Sequence, residues 1–186
     1  MKTLKDFIKE SQEINESLFG DIVRKLLDTG LSWISGSIKW IANKSADAVS
    51  DIWKTHRDVL TNTYSEFRRS NPKYKFLPET PKTDKEYSLS LLITFLNDSV
   101  SADDKITLAN TVISAIKKEK DNKHGKTDNS IAEITANCYI GITKNPKATG
   151  DDKTKADNFL NTIISTYGDG VKVLINERIN DLKKHI

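Results

Sequence analysis

Apolar residues recur along this chain at three- and four-residue steps, and no stretch alternates strictly, so helices are predicted throughout. Residues 3–13 read as a first helix with Leu4, Phe7 and Ile8 on one side. Residues 18–43 read as a second, its register marked by Asp21, Arg24, Lys25, Asp28, Ser32, Ser35, Lys39 and Asn43. The rest of its circumference, from Leu18 and Phe19 through Leu31, Ile34 and Ile41, is apolar, and so broad a face requires cover. Gly30 and Gly36 each weaken a helix by about 1 kcal/mol relative to alanine, so a break or a close helix contact is predicted near Thr29-Gly30. Ser45 suits the N-cap of a third helix over 46–69, with Val49, Ile52, Trp53, His56, Leu60, Tyr64 and Phe67 as its stripe.

Residues 70–83 then hold three of the four prolines. Proline removes a backbone donor and pushes the preceding residue toward extended conformations, so this segment reads as a linker or an ordered crossover. The pattern restarts at Thr83-Asp84-Lys85-Glu86, which matches a capping box, followed by Leu89, Leu92, Ile93 and Leu96 on one face. Ser101-Ala102-Asp103-Asp104 opens the next helix, with Ile106, Ala109, Ile113 and Ile116 inward and acidic residues against the positive helix end. Residues 117–129 read as a solvated loop, and Asn129 or Ser130 as the cap of a helix with Ile131, Ile134, Cys138 and Ile142 inward. After a loop at 145–153, two helices follow, one around Phe159, Ile163, Ile164 and Tyr167, the other around Val171, Leu174, Ile175, Ile179 and Leu182. Gly168-Asp169-Gly170 separates them. The expected fold is all-α: N-terminal amphipathic helices plus a C-terminal bundle of about five helices. Its expected organisation is a leader at 1–16, a helical region at 17–69, the proline-rich segment at 70–83 and the bundle at 84–186.

Composition narrows the classes. With 186 residues the chain is long enough to bury a core, and 37% hydrophobic residues placed at helical steps argue against disorder. The net charge of +3 is spread as interspersed signs, so it implies solubility rather than a nucleic-acid surface. One cysteine, Cys138, excludes an internal disulfide and a cysteine-based zinc cluster. Lys2 and Lys5 are followed by Asp6, Lys9 and Glu10 instead of an apolar run, so no secretory signal is expected, and no apolar stretch is long enough for a membrane span.

The first twenty residues carry the clearest functional signal. MKTLKDFI opens the chain, and Ile14-Asn15-Glu16 precedes Ser17, where a more apolar segment begins. The chain thereby resembles the internal and structural head proteins of large tailed bacteriophages of the T-even type. Many of these start with a Met-Lys-x-(Leu/Tyr)-x-(Glu/Asp)-Phe-Ile peptide, which a capsid maturation protease removes by cutting after glutamate in an (Ile/Leu)-x-Glu context. The resemblance implies cleavage between Glu16 and Ser17, with Ile14 as the upstream recognition residue, no enzymatic activity and no cofactor. It also implies assembly with head or scaffold proteins, a place in the virion inside or against the capsid after assembly in the host cytoplasm, and release with DNA as a further expectation. A second such triplet, Ile175-Asn176-Glu177, falls inside a predicted helix that resists proteolysis.

Other candidates carry less chemistry. Trp33, Trp40 and Trp53, with Arg24, Lys25, Lys39, Lys44 and Lys54, fit either a membrane-interface face or a partner face. Asp21, Asp28, Asp47 and Asp51 dilute the cationic side that anionic lipid needs, which favours packing against other helices or another subunit. His56 sits on an apolar stripe, His124 in a charged loop, and His185 next to the last residue, so no catalytic triad is read. Asp103-Asp104, Asp151-Asp152 and Asp157 are formal candidates for metal ligands, and N-capping is the better account of Asp103 and Asp104. Lys117, Lys118, Lys120, Lys123 and Lys126 offer nonspecific contact to DNA phosphates, but Glu119, Asp121 and Asp128 interleave with them. The alternatives to a virion protein are a helical module acting on a host factor and a membrane-associating protein working through 18–53.

Overall fold

The computed structural model describes residues 30–34, 36, 37, 40, 46–74, 77, 84–119 and 126–186. A 3-10 turn at Ser32–Ile34 precedes α1 (Ala46–Thr55), α2 (Arg57–Ser70), α3 (Asp84–Leu96), α4 (Ala102–Lys118), α5 (Lys126–Thr143), α6 (Gly150–Tyr167) and α7 (Asp169–His185). There is no strand among the described residues, and five helices follow Asp84, so the expected all-α class and bundle are found.

Local chemistry explains the helix ends. At α4 the Ser101 side chain accepts the Asp104 N–H (3.2 Å), Asp103 and Asp104 face the positive end, and Lys117 and Lys118 occupy the negative end. At α6 Thr149 and Asp152 form a reciprocal capping box: the Asp152 N–H donates to the Thr149 hydroxyl (3.2 Å) and the Thr149 N–H to the Asp152 carboxylate (2.9 Å). Between α6 and α7 the chain needs only Gly168, whose φ of 85° a residue with a Cβ adopts at a cost. Asp169 and Gly170 already belong to α7, so the predicted three-residue break shrinks to one.

Around these elements one core forms, and α5 is its axis. This helix packs against α7, α4, α6, α3 and α1. Every residue from Ser130 to Cys138 is buried, as are Ile140, Gly141 and Ile142. The predicted inward residues Ile131, Ile134, Cys138 and Ile142 are all there, but a single stripe understates a helix enclosed on all sides. The buried Thr135 hydroxyl is satisfied within the helix, donating to the Ile131 carbonyl (2.7 Å). Each fully buried isoleucine or leucine stabilises this arrangement by about 1.5–3 kcal/mol.

Several sequence expectations are corrected. The predicted helix over 46–69 bends at His56 into α1 and α2. Residues 126–129 belong to α5, so neither Asn129 nor Ser130 is its cap; Asp128 in the first turn suits the positive end instead. On α4 the buried set is Ala102, Lys105, Leu108, Ala109, Val112, Ile113 and Ile116, with Ile106 only half-buried, because α2, α5 and α6 all pack on it. The predicted helix over 18–43 is interrupted: Gly30 has φ 112°, and residues 32–34 form the 3-10 turn. A Cβ at Gly30 would lie 2.5 Å from Asn97 Oδ1 and 2.7 Å from Asp98 Oδ1, so of the two predicted alternatives the break occurs, and the close contact there is with the loop after α3 and not with a helix. Leu31 and Ile34 join the same core, as do Tyr74 and Leu77 of the proline-rich segment, whose described part is an ordered crossover. The Thr83 capping box and the leader lie outside the described residues.

Candidate functional site

The most chemically loaded position is Lys105. Ser101 fixes the first turn of α4, the Lys105 N–H donates to its carbonyl (3.0 Å), and the side chain is thereby directed into the core, where Lys105 is 0% exposed. Its ammonium donates to the Gly141 carbonyl at 2.8 Å. That acceptor is one of the last four carbonyls of α5, which have no regular intrahelical donor. The Lys144 N–H goes to Ile140 (3.0 Å) and the Asn145 N–H to Ile142 (3.2 Å), which leaves Gly141 to Lys105. Lys105 therefore caps the central helix from a neighbouring element, at the end where the helix dipole favours a cation. At the same residue α3 packs closely on α5 and requires glycine: a Cβ at Gly141 would fall 1.9 Å from the Phe95 carbonyl oxygen.

Burial pushes the Lys105 amine down to about 8, against the opposing pull of Cys138, Asp98 and Asp152. No carboxylate among the described residues forms an ion pair with it. Above it lies a cavity of about 190 Å³ whose wall includes Val100, Ala102, Lys105, Ile142, Asn145 and Asp152. Lys147 Nζ and Asp98 Oδ1 meet at its rim (2.8 Å), and the Asn145 amide donates to the Asp98 carbonyl (3.3 Å), tying the loops after α3 and α5 together. Cys138, also buried, is pushed up to about 12 by burial, so it holds its proton and is no nucleophile near neutral pH.

A second hollow, about 520 Å³, lies between the end of α1, the start of α5 and α7, with Asp51, Lys54, Ser130, Glu133 and Arg178 among its walls. Burial raises the Glu133 pKa, countered by the Asn137 amide (3.0 Å) and by Arg178, whose Nε lies 3.1 Å from the carboxylate. Its charges are balanced in pairs, Asp51 with Lys54 (3.7 Å) and Glu133 with Arg178 (3.1 Å).

His56, buried at the bend, bonds through Nδ1 to the Glu119 carboxylate just past α4, while its Nε2 is buried without a partner among the described residues. It fastens the α1–α2 bend to α4 and is not joined to a serine, threonine or cysteine among the described residues. Trp33 is half-buried and its indole N–H donates to the Leu96 carbonyl (3.1 Å). Trp40 is half-buried and stacks on His185 (3.7 Å between centroids), and the Ser37 hydroxyl donates to the His185 carbonyl. Both rings are thus engaged by the rest of the protein, and Trp53 lies on α1. The acidic candidates are spoken for: Asp103 pairs with Lys155 (3.0 Å), and Asp104 receives Tyr74, Ser101 and Lys73. Asp151 also pairs with Lys155 (3.1 Å), Asp152 completes its cap, and Asp157 accepts from Tyr139 (3.0 Å). Lys117 lies over the Tyr167 ring (5.2 Å) at the end of α4. Ile14, Glu16, Ser17 and His124 lie outside the described residues.

Sequence reasoning missed Lys105, Glu133 and Gly141. Two signals were available. Lys105 stands three and seven residues before Leu108 and Val112, so it shares their helical face. Gly141 interrupts Ile140 and Ile142 within a helical run, a position that usually marks a close backbone approach. The chain has no match among protein-family models, curated proteins or solved structures.

Proposed function

We propose that this chain is a non-enzymatic virion protein of a large tailed bacteriophage, made with a leader that the maturation protease removes after Glu16. The observation that carries this reading is the pairing of MKTLKDFI with Ile14-Asn15-Glu16 ahead of Ser17. Two features of the molecule are compatible with it. The described core begins at Leu31, downstream of the proposed cut, so all of the packing described above stays with the retained part. The competing triplet Ile175-Asn176-Glu177 is held within α7, with Ile175 buried, and a helical backbone does not present the extended strand that proteases bind.

Mass spectrometry of purified virions tests the proposal. The expected product starts at Ser17 and has 170 residues, the 186 of the full chain less the 16 removed. Recovery of chains that still start at Met1 would instead favour a helical interaction module acting on a host factor.

A further inference from the structure

We propose that the joined outer face of α4 and α6 is an interface on which a second copy of this chain docks, antiparallel, across a two-fold axis. The proposal is independent of the virion reading. α4 and α6 pack side by side and run in the same direction: Asp103 pairs with Lys155 (3.0 Å) near their starts, and Lys117 lies over the Tyr167 ring (5.2 Å) at their far ends. Between these two fastenings the exposed residues include Thr107, Asn110 and Ser114 on α4 and Asn158, Thr162 and Thr166 on α6. Asp103, Thr107, Asn110, Ser114 and Lys117 recur at four- and three-residue steps and so share one face of α4. Residues 106–116 and 158–168 hold no charged residue, in a chain that is 30% charged. The exposed side of α7, by contrast, carries Lys172, Glu177, Arg178, Asp181, Lys183 and Lys184. Depletion of charge distinguishes the centre of a protein interface from the surface around it. The Thr162 and Thr166 hydroxyls donate to the carbonyls of Asn158 (2.8 Å) and Thr162 (2.7 Å), so covering them strands no donor.

The charges at the two ends select the occupant. At the start, Asp103 and Asp151 share one ammonium, that of Lys155 (3.0 and 3.1 Å), and their side chains are 70% and 74% exposed. At the far end stand Lys117 and Lys118, both exposed. The face thus has an acidic end, an uncharged middle and a basic end. A two-fold axis through the middle, near Asn110, sets Asp103 of one copy opposite Lys117 of the other, and does so twice. A parallel pairing would set acid on acid and base on base. Asp103 and Lys117 are about 21 Å apart along α4, and two helices are roughly 20 Å across, so each copy offers a footprint of about 400 Å². A standard stable interface takes about 800 Å² from each partner, so this pair is a weak and reversible dimer that forms at high concentration.

Sedimentation velocity of the full-length protein over a concentration series tests the proposal. The mass is expected to rise from 20.9 kDa toward twice that value with concentration, and to rise less in high salt. Thr162→Lys, which puts a charge in the uncharged middle of both copies, is expected to weaken association at least about tenfold. Asn176→Lys, the same change on the exposed side of α7, is expected to leave it unaltered. Lys117→Glu should weaken the pair, and adding Asp103→Lys should restore it, because the two ends then exchange sign and remain complementary between copies. Circular dichroism confirms that each variant is folded. A protein that stays monomeric at every concentration overturns the proposal, as does association equally sensitive to Asn176→Lys and Thr162→Lys. Failure of the double exchange to restore what Lys117→Glu removes overturns the antiparallel arrangement.

Discussion

The two halves of α5 hold buried charge in different ways. Near the start of the helix, Glu133 is held by a counter-ion and an amide: Arg178 at 3.1 Å and Asn137 at 3.0 Å. Near its end, Lys105 has only a carbonyl, that of Gly141, and the negative pole of the helix. Burial opposes ionisation in both, raising the Glu133 pKa and lowering that of Lys105. The carboxylate is thus stabilised by a partner that mutation can remove, the ammonium by backbone that mutation can reach only through glycine. A counter-charge is therefore one of two ways to keep a charge inside a helical bundle, and the second ties ionisation to the spacing between helices.

That distinction can be broken most forcefully at Gly141. Gly141→Ala places a methyl where the Phe95 carbonyl now lies, so α3 and α5 must separate beside the carbonyl that receives Lys105. The expected loss is about 3 kcal/mol or more, read as a fall of roughly 10 °C in thermal midpoint. A smaller effect with a sharper signature is expected for Lys105→Met. The native protein gives up the Lys105 proton near pH 8, whereas the unfolded chain keeps it to about 10.5, so between those values the unfolded state holds more protons and wild-type stability rises with pH. The gain is on the order of 3 kcal/mol across that window. The variant should lack it, so denaturation curves of the two proteins at neutral and alkaline pH must diverge in favour of wild type as pH rises. Parallel curves would mean that Lys105 is not titrating from a buried site.

Smallest is Arg178→Ala. Arg178 is 45% exposed, so water replaces part of what it gives Glu133, and the expected cost is about 1–2 kcal/mol at neutral pH. A carboxyl whose folded pKa is raised binds its proton more readily in the native state, so the cost should shrink as pH falls and Glu133 protonates. Urea midpoints at neutral and mildly acidic pH would show this. A deficit that persists unchanged in acid would indicate that Arg178 acts by packing its stem and not by its charge.

The legible part of this molecule follows one rule of reach. Ser101 as a cap, the bundle of five helices, the break at Gly30 and the stripe from Val49 to Phe67 depend on residues within about one or two helical turns of one another, and these the sequence determined. The cap at Thr149-Asp152 was equally local, a threonine followed three residues later by an acid, yet it read as loop because its surroundings are rich in polar and turn residues. What only the tertiary structure decided is which sides of a helix are covered and which distant groups meet. Enclosure of α5 by five other helices buries Glu133 and Asn137 on what periodicity takes for an outer face. The meeting of Lys105 with Gly141 spans 36 positions, and it exists because two helices cross closely enough for a side chain of one to satisfy the backbone of the other. Helical periodicity carries no information about that crossing, since the energy that selects it comes from shape and burial between elements and not from the order of residues within one.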